Sequence, residues 1–126
     1  MKGRFARLVP LLLAALLLAG APAVRAAESP FENQLIRLAE ILGSLHYLRN
    51  LCGESSHEWR DRMQALLDAE DPDEERRARF VASFNRGYRT FEGTYTTCTD
   101  SAVEAISRYM KEGEALTRDT ATRYGN

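Results

Sequence analysis

Residues 45–63, LHYLRNLCGESSHEWRDRM, concentrate the side chains of this chain that could carry out chemistry. They include both histidines, His46 and His57, and the single tryptophan, Trp59. Glu54 and His57 have the Glu-x-x-His spacing found in di-iron helical bundles. Such a centre needs two of these motifs and two further carboxylates, and the chain offers one motif. The sequence therefore predicts no metal site and no cofactor.

His46 is the candidate general base, and Glu58 could act with it as an acid–base pair in an enzyme acting on the cell wall. No activated nucleophile accompanies it. The chain has no G-x-S-x-G motif, and a disulfide is expected to occupy Cys52 and Cys98. We therefore name no catalytic residue, expect a protein that is not an enzyme, and keep the wall-acting enzyme as an alternative.

Aromatic and arginine side chains are also concentrated in this stretch, and these are the types that protein interfaces favour. Trp59 could instead fill the core at one end of a small domain. His46 could instead be a structural residue held by hydrogen bonds. The candidate interaction patch consists of His46, Tyr47, Arg49, Trp59 and Arg60.

A second candidate site surrounds two glycines that are expected at the same height in helices three and four. A glycine inside a helix costs about 1 kcal/mol relative to alanine, and either close helix packing or a ligand pocket would offset that cost. Polar neighbours could line a groove here, so a small-ligand or metal carrier remains an alternative function. The groove residues are Asn85, Arg86, Gly87, Arg89 and Gly113.

The first 26 residues have the three-part pattern of a secretory signal peptide: a basic opening, an apolar run and small residues before a cut. The apolar run from Leu8 to Ala19 is shorter than the roughly 20 residues of a membrane-spanning helix. We predict cleavage after Ala26, no stable membrane insertion afterwards, and a single helical domain over 27–126. That domain has thirteen basic and eighteen acidic residues, which argues against nucleic acid as a partner.

The two cysteines, Cys52 and Cys98, are 46 positions apart. In an exported chain this spacing favours a structural disulfide over a redox pair, whose thiols lie close in sequence. Closing a loop of this size should stabilise the fold by about 4 kcal/mol.

Capping signals and apolar spacing divide residues 29–124 into four helices, each with one buried face. The expected N-caps are Ser29, Ser55, Asp71 and, for the fourth helix, Thr99 or Asp100. The first helix should end near Leu51, the second by Glu70 and the third after Tyr95, and the fourth frays after Tyr124. Short connections make neighbouring helices antiparallel. The predicted fold is an all-α, up-down-up-down four-helix bundle, and this topology places both cysteines at the same end.

Four stretches of the chain, LAEILGSLHYLRNLCG, WRDRMQALLDAE, FNRGYRTFEGTYTTCT and RYGN, carry a resemblance. Together they resemble a family of small exported alphaproteobacterial proteins classed as a domain of unknown function, over residues 30–126. The resemblance implies a periplasmic protein of the bacterial envelope and supplies no activity or site residue.

Our leading hypothesis is a non-enzymatic interaction module in the periplasm. Its expected partner is another periplasmic or envelope protein, and the compartment suggests a part in cell-wall or outer-membrane upkeep. The carrier and the wall-acting enzyme are the alternatives.

Overall fold

A computed structural model describes residues 31–124, with side chains to residue 122. This part of the chain forms four helices and no strand: α1 (Glu32–Leu51), α2 (Glu58–Glu70), α3 (Glu74–Glu92) and α4 (Asp100–Tyr124). The all-α four-helix bundle is confirmed. The predicted signal peptide, its cleavage point and the Ser29 cap lie outside the described residues. Within residues 31–124, no helix is both long enough and apolar enough to cross a membrane.

Helix α1 is the centre of the bundle, because each of the other three helices packs against it. It runs parallel to α3: the Glu32 carboxylate binds Arg76 near the start of both helices, and Tyr47 donates to the Tyr95 carbonyl at the other end. In an up-down-up-down order, the first and third helices run in the same direction, and the second helix, which lies between them in the chain, runs in the opposite direction.

Helix α4 runs antiparallel to α1. The Arg37 guanidinium near the start of α1 donates two hydrogen bonds of 2.9 Å to Glu112 in the second half of α4. At the other end, Leu48 is buried against Ala102 and Ala105 in the first turns of α4. The directions of α3 and α4 relative to α1 therefore both agree with the predicted up-down-up-down topology.

The core lies along α1, whose apolar side chains recur every three or four residues and are buried on several sides of the helix. Phe80 from α3 and Trp59, Met63 and Leu67 from α2 complete the main cluster. Burying a large apolar side chain stabilises the fold by about 1.5–3 kcal/mol, so a helix surrounded in this way is the main source of stability. The α1 residues of this cluster are Leu35, Ala39, Ile41, Leu42 and Leu45.

Helices α1 and α3 approach so closely that their backbones touch at two glycines. A Cβ atom on Gly43 would lie 1.9 Å from the Phe84 carbonyl oxygen, and one on Gly87 would lie 2.0 Å from the Glu40 carbonyl oxygen. No side chain fits at either position. Of the two roles considered for Gly87, close helix packing is the one that this geometry shows.

The Cys52–Cys98 disulfide is present, with the two Cα atoms 5.0 Å apart. It joins the end of α1 to the segment just before α4. Both cysteines lie at the same end of the bundle, as the predicted topology required.

The helix boundaries differ from the predicted ones at three points. Asp71 does not cap α3, because it has a left-handed φ of 42° and ends α2. Asp73 is the cap instead, and its side chain accepts a hydrogen bond of 2.8 Å from the Arg76 amide. His57 occupies the N-cap position of α2 in place of Ser55, and Tyr95 lies beyond the end of α3.

The expected cap of the fourth helix is confirmed. The Thr99 hydroxyl oxygen accepts a hydrogen bond of 3.1 Å from the Ala102 amide, which satisfies one of the free N–H groups of the first turn.

The end of the bundle opposite the disulfide is held by a buried ion-pair group. Arg76 donates to the carboxylates of Glu32 and Glu70, with closest distances of 2.7 and 2.8 Å. The pKa of Arg76 is raised mainly by its hydrogen bond to Glu32. One guanidinium thereby joins the start of α1, the end of α2 and the start of α3.

Candidate functional site

The α2–α3 groove is a cavity of about 450 Å³ between α2 and α3, with α1 behind it. It exists because these two helices touch at few places, whereas each of them packs against α1. The lining residues come from three helices: His46 from α1; Arg60, Met63, Gln64 and Leu67 from α2; Arg77, Val81, Phe84, Asn85 and Tyr88 from α3.

The floor of the α2–α3 groove is apolar. Met63 and Leu67 belong to the buried core, and Phe84 packs against it. Val81 stands on the α3 wall with 36 % of its surface exposed. A concave surface with an apolar floor and a few polar groups on its walls is the usual form of a binding site.

The charges in the α2–α3 groove are all positive, since its lining contains Arg60 and Arg77 and no carboxylate. Other arginines of the bundle are paired with acids, among them Arg37 with Glu112 and Arg62 with Glu58. Within residues 31–122, no ion pair or hydrogen bond joins the guanidinium of Arg60 or Arg77 to another residue. Both are therefore available to an incoming anion.

His46 lies on the wall of the groove, with its ring centroid 6.0 Å from that of Phe84 and 5.7 Å from that of Tyr88. Burial lowers the pKa of His46, and the positive charges of Arg60 and His57 lower it further. The imidazole is accordingly neutral at pH 7. The Asn50 side-chain nitrogen is 3.2 Å from Nδ1, and because an amide nitrogen only donates, Nδ1 accepts and the ring proton lies on Nε2.

The acid–base pair proposed for an enzyme is not assembled in this arrangement. Glu58 accepts hydrogen bonds of 3.2 and 2.8 Å from Arg62, one turn further along α2. Arg60 is the charged group that acts on His46 most strongly, and a neighbouring cation disfavours the protonated imidazole that general-base catalysis must form.

The predicted interaction patch divides between the groove and the disulfide corner. Trp59 is 4 % exposed, and the guanidinium carbons of Arg49 and Arg62 lie 5.9 and 5.2 Å from its ring centroid. Tyr47 has its hydroxyl on the Tyr95 carbonyl and its ring edge-on to that of Tyr88, at 5.3 Å. These two aromatic residues stabilise the corner, and only His46 and Arg60 of the patch line the groove.

Glu54, the carboxylate of the single Glu-x-x-His motif, is engaged within the corner. Ser56 donates to it at 2.8 Å and Arg49 pairs with it. These contacts lower the pKa of Glu54, with the Ser56 hydrogen bond as the largest cause. His57 is exposed at the start of α2. No group of three histidine, cysteine or acidic residues within residues 31–124 is placed to hold a metal ion.

The five residues predicted to line one polar groove lie in separate places. Asn85 lines the α2–α3 groove, whereas Arg86 donates to Ser83 and pairs with Glu40 on the other side of α3. Gly87 is covered by α1. Arg89 is exposed, and Gly113 lines a different cavity. Helix α1 stands between the two glycines, which therefore do not face each other.

The α1–α2–α4 cavity, lined by these three helices, has a volume of about 330 Å³. Its walls are formed by apolar side chains of α1, by Trp59 of α2 and by Met110 and Gly113 of α4. A Cβ atom on Gly113 would meet only the Ile41 Cγ2 atom, at 3.4 Å, which is ordinary contact. Packing therefore does not require a glycine here, although a helical glycine costs about 1 kcal/mol relative to alanine.

Comparison with protein families gives a match over residues 30–124 to a family described as "Protein of unknown function (DUF2385)". The chain belongs to this family. Neither the comparison with curated proteins nor that with solved structures gave a match. The DUF2385 match spans all four helices, so both the α2–α3 groove and the α1–α2–α4 cavity lie within the family domain.

Of the ten residues that line the α2–α3 groove, only His46, Arg60 and Asn85 were predicted as site residues. Sequence reasoning missed the other seven: Met63, Gln64, Leu67, Arg77, Val81, Phe84 and Tyr88. A signal was available, because α2 and α3 both carry apolar stripes and a central α1 cannot cover the full width of both. Val81 lies beside Phe80 on α3, yet Phe80 is completely buried and Val81 is exposed. The apolar face of α3 in the DUF2385 domain is thus wider than the surface that α1 covers, and this width was the signal for an exposed apolar edge.

Proposed function

We propose that this DUF2385 protein is a non-enzymatic interaction module of the bacterial periplasm that binds another envelope protein through the α2–α3 groove. The observation that carries the proposal is the groove itself, which combines an apolar floor, an exposed valine and two arginines without an acidic partner. A part in cell-wall or outer-membrane upkeep is the role that this compartment suggests.

The shape of the groove supports a helical partner. Its floor runs between two antiparallel helices, which is the arrangement in which an amphipathic helix lays its apolar face. The partner would cover Met63, Phe84 and Val81 with apolar side chains. Gln64 and Asn85 on the two walls can exchange hydrogen bonds with its polar edge.

The charges of the groove support an acidic partner. Arg60 stands near the start of α2 and Arg77 near the start of α3, so they lie toward opposite ends of the groove. At the usual rise per residue their levels differ by about 10 Å, or two helical turns. A helix with carboxylates two turns apart on one face would place one acid at each arginine.

Two observations support the compartment. A disulfide such as Cys52–Cys98 persists in oxidising compartments and is rare in the cytosol. The basic, apolar and small-residue segments of residues 1–26 follow the order of a secretory signal.

A charge-reversal experiment tests the proposal. The partner is captured with tagged protein, purified, and its affinity is measured by calorimetry for the wild type and for an Arg60→Glu, Arg77→Glu variant. We expect the variant to bind at least about tenfold more weakly, because a repulsive charge replaces an attractive one at each end of the groove.

The matched control is an Arg108→Glu, Lys111→Glu variant, which makes the same change in net charge on the exposed surface of α4. It should retain the wild-type affinity. Equal losses in the two variants, or no loss in the groove variant, would show that the partner binds elsewhere.

A further inference from the structure

We infer that the α1–α2–α4 cavity binds a single-chain carboxylic acid, with its hydrocarbon chain against α1 and its carboxylate at Arg118. This site is separate from the α2–α3 groove, and the inference does not depend on the interaction proposed for that groove.

The size of the cavity selects a small ligand. Its volume of about 330 Å³ is at the low end of the range of about 300–1,000 Å³ found for small-molecule sites. The cavity opens between α2 and α4, whose Cα atoms nowhere approach within 8 Å of each other. One hydrocarbon chain fits such a space, and a lipid with two chains does not.

The walls of the cavity select an apolar body. Four α1 residues of the core or its edge, together with Met110 and the Trp59 ring, make the lining mostly apolar. Protein cores normally contain few voids larger than a water molecule. The four α1 residues are Leu38, Ile41, Leu42 and Leu45.

Gly113 keeps the α4 wall open. The glycines of the α1–α3 contact are required because a Cβ would strike backbone oxygen, whereas a Cβ on Gly113 would have ordinary contact with Ile41 alone. An alanine would fit and would favour the helix. A glycine at this position leaves the α4 wall without a side chain next to Ile41, at the edge of the cavity.

The charged residues at the mouth of the cavity favour a ligand whose head group has a single negative charge. Its charged residues are Arg62, Glu114 and Arg118. Arg62 already pairs with Glu58 at 2.8 Å, while Arg118 has no ion-pair partner within residues 31–122. Glu114 adds a negative charge at the mouth, so it would repel a dianionic head group more strongly than a single carboxylate. The Thr117 hydroxyl at the mouth donates to the Gly113 carbonyl, so Arg118 is the free donor for a carboxylate.

Trp59 is the only tryptophan of the chain and lies in the wall of this cavity, so its fluorescence reports occupancy directly. We would titrate the full-length mature protein with decanoate and with decanol. The expected result is a saturable change with one site per chain and a Kd about tenfold lower for decanoate, since only its head group makes a charge-assisted hydrogen bond. Absence of saturable binding, or equal affinity for both probes, would overturn the inference.

Three variants and one control variant locate the ligand. Gly113→Met should weaken binding of both probes at least about tenfold because its side chain occupies the chain site. Gly113→Ala, which the backbone accommodates, should weaken both about threefold with the fold intact. Arg118→Gln should weaken decanoate alone, and Arg108→Gln on the same helix should change neither. Unaltered binding in the Gly113→Ala and Arg118→Gln variants would place the ligand elsewhere.

A parallel titration with phosphatidylglycerol vesicles separates a free acid from a membrane lipid. A Trp59 response to decanoate without vesicles supports the free acid. A response to vesicles only would assign the cavity to a lipid chain and overturn the inference.

Discussion

The two sides of α1 are built in opposite ways. Toward α3, Gly43 and Gly87 bring the two backbones into direct contact. Toward α2 and α4, α1 meets its neighbours through side chains, among them Leu48 against Ala102 and Ala105 of α4, and the α2–α3 groove and the α1–α2–α4 cavity both adjoin this looser packing. The difference teaches that a tightly joined pair of helices can hold the fold while two more loosely packed helices leave cavities beside it.

Hydrogen bonds reinforce the tight side. The Ser83 hydroxyl on α3 donates to the Ile36 carbonyl of α1 at 2.8 Å, and the Ser44 hydroxyl donates to Glu40 within α1 at 2.9 Å. Both serines are 1 % exposed, so these bonds satisfy groups that would otherwise be costly to bury. On the other side, α4 is held by the disulfide, by the Arg37–Glu112 ion pair and by the buried contact of Leu48 with Ala102 and Ala105.

The largest expected effect is loss of the disulfide. Cys52→Ser and Cys98→Ser should each lower the free energy of unfolding by about 4 kcal/mol, because each removes the same cross-link between distant residues. Urea unfolding followed by circular dichroism measures the effect. Clearly unequal losses would mean that the bridge is not the main role of these cysteines.

Hydrogen exchange in the same variants tests whether α4 is held to α1 less firmly than α3 is. In either variant, amides of α4 should lose protection first, because α4 is held to α1 by the disulfide and by side chains. Amides of α1 and α3 should retain protection longest. Loss of protection in α3 before α4 would contradict the assignment of the tight and loose sides.

The next effect concerns the glycines of the tight side. Gly43→Ala and Gly87→Ala should each destabilise the fold by about 3 kcal/mol, because the new Cβ atom would force the two backbones apart. The measurement is again urea unfolding. A loss below about 1 kcal/mol would show that the helices can separate at little cost.

Gly113→Ala is the matched substitution on the loose side and should have the opposite sign. The Cβ atom fits beside Ile41, and the helix gains the difference in propensity, so stability should rise by about 0.5–1 kcal/mol. A destabilisation comparable to that of Gly87→Ala would mean that α4 packs on α1 as tightly as α3 does.

The smallest expected effect is the pH dependence contributed by His46. Its pKa in the folded protein lies below the ordinary value of 6.5, so the unfolded chain takes up a proton that the folded protein does not. Stability should therefore fall as the pH is lowered through 6.5 and level off below the folded-state pKa. The His46→Gln variant should lose this component, in unfolding curves at about pH 7.5 and about pH 5.5.

An NMR titration of the His46 ring provides the control. Arg60→Gln should bring the pKa of His46 closer to its ordinary value, because it removes one of the positive charges that lower it. A pKa of His46 above 6.5 in the wild type would contradict the location of this ring in the α2–α3 groove.

Much of the fold could be predicted from the sequence, because it depends on local signals. Apolar spacing indicated four helices, and their topology placed Cys52 and Cys98 at the same end of the bundle. Two helices begin two residues later than predicted, and at α2 the N-cap residue, His57, makes no side-chain capping hydrogen bond. Asp73 is the cap of α3 in place of Asp71, since Asp71 takes the left-handed conformation that ends α2.

The candidate sites depend on side-chain burial and on the rotation of each helix about its axis, which local sequence patterns do not determine. Aromatic and arginine side chains are concentrated around Trp59, but composition does not determine which of them are exposed. Exposure depends on how far α2 covers α1, and Trp59 lies inside that contact. The equal heights of Gly87 and Gly113 were no guide to a shared groove, because the rotation of each helix about its axis decides which side of α1 a residue meets.

The most direct test of the α2–α3 groove is photo-crosslinking in living cells. A photoreactive residue would replace Gln64, on the groove wall, and in a separate strain Val103, which is exposed on α4 outside the groove. We predict that one envelope protein dominates the products from position 64 and is absent from those of position 103, and that Arg60→Glu with Arg77→Glu removes it. The same products from both positions, or none from position 64 in a folded and abundant protein, would contradict the proposal.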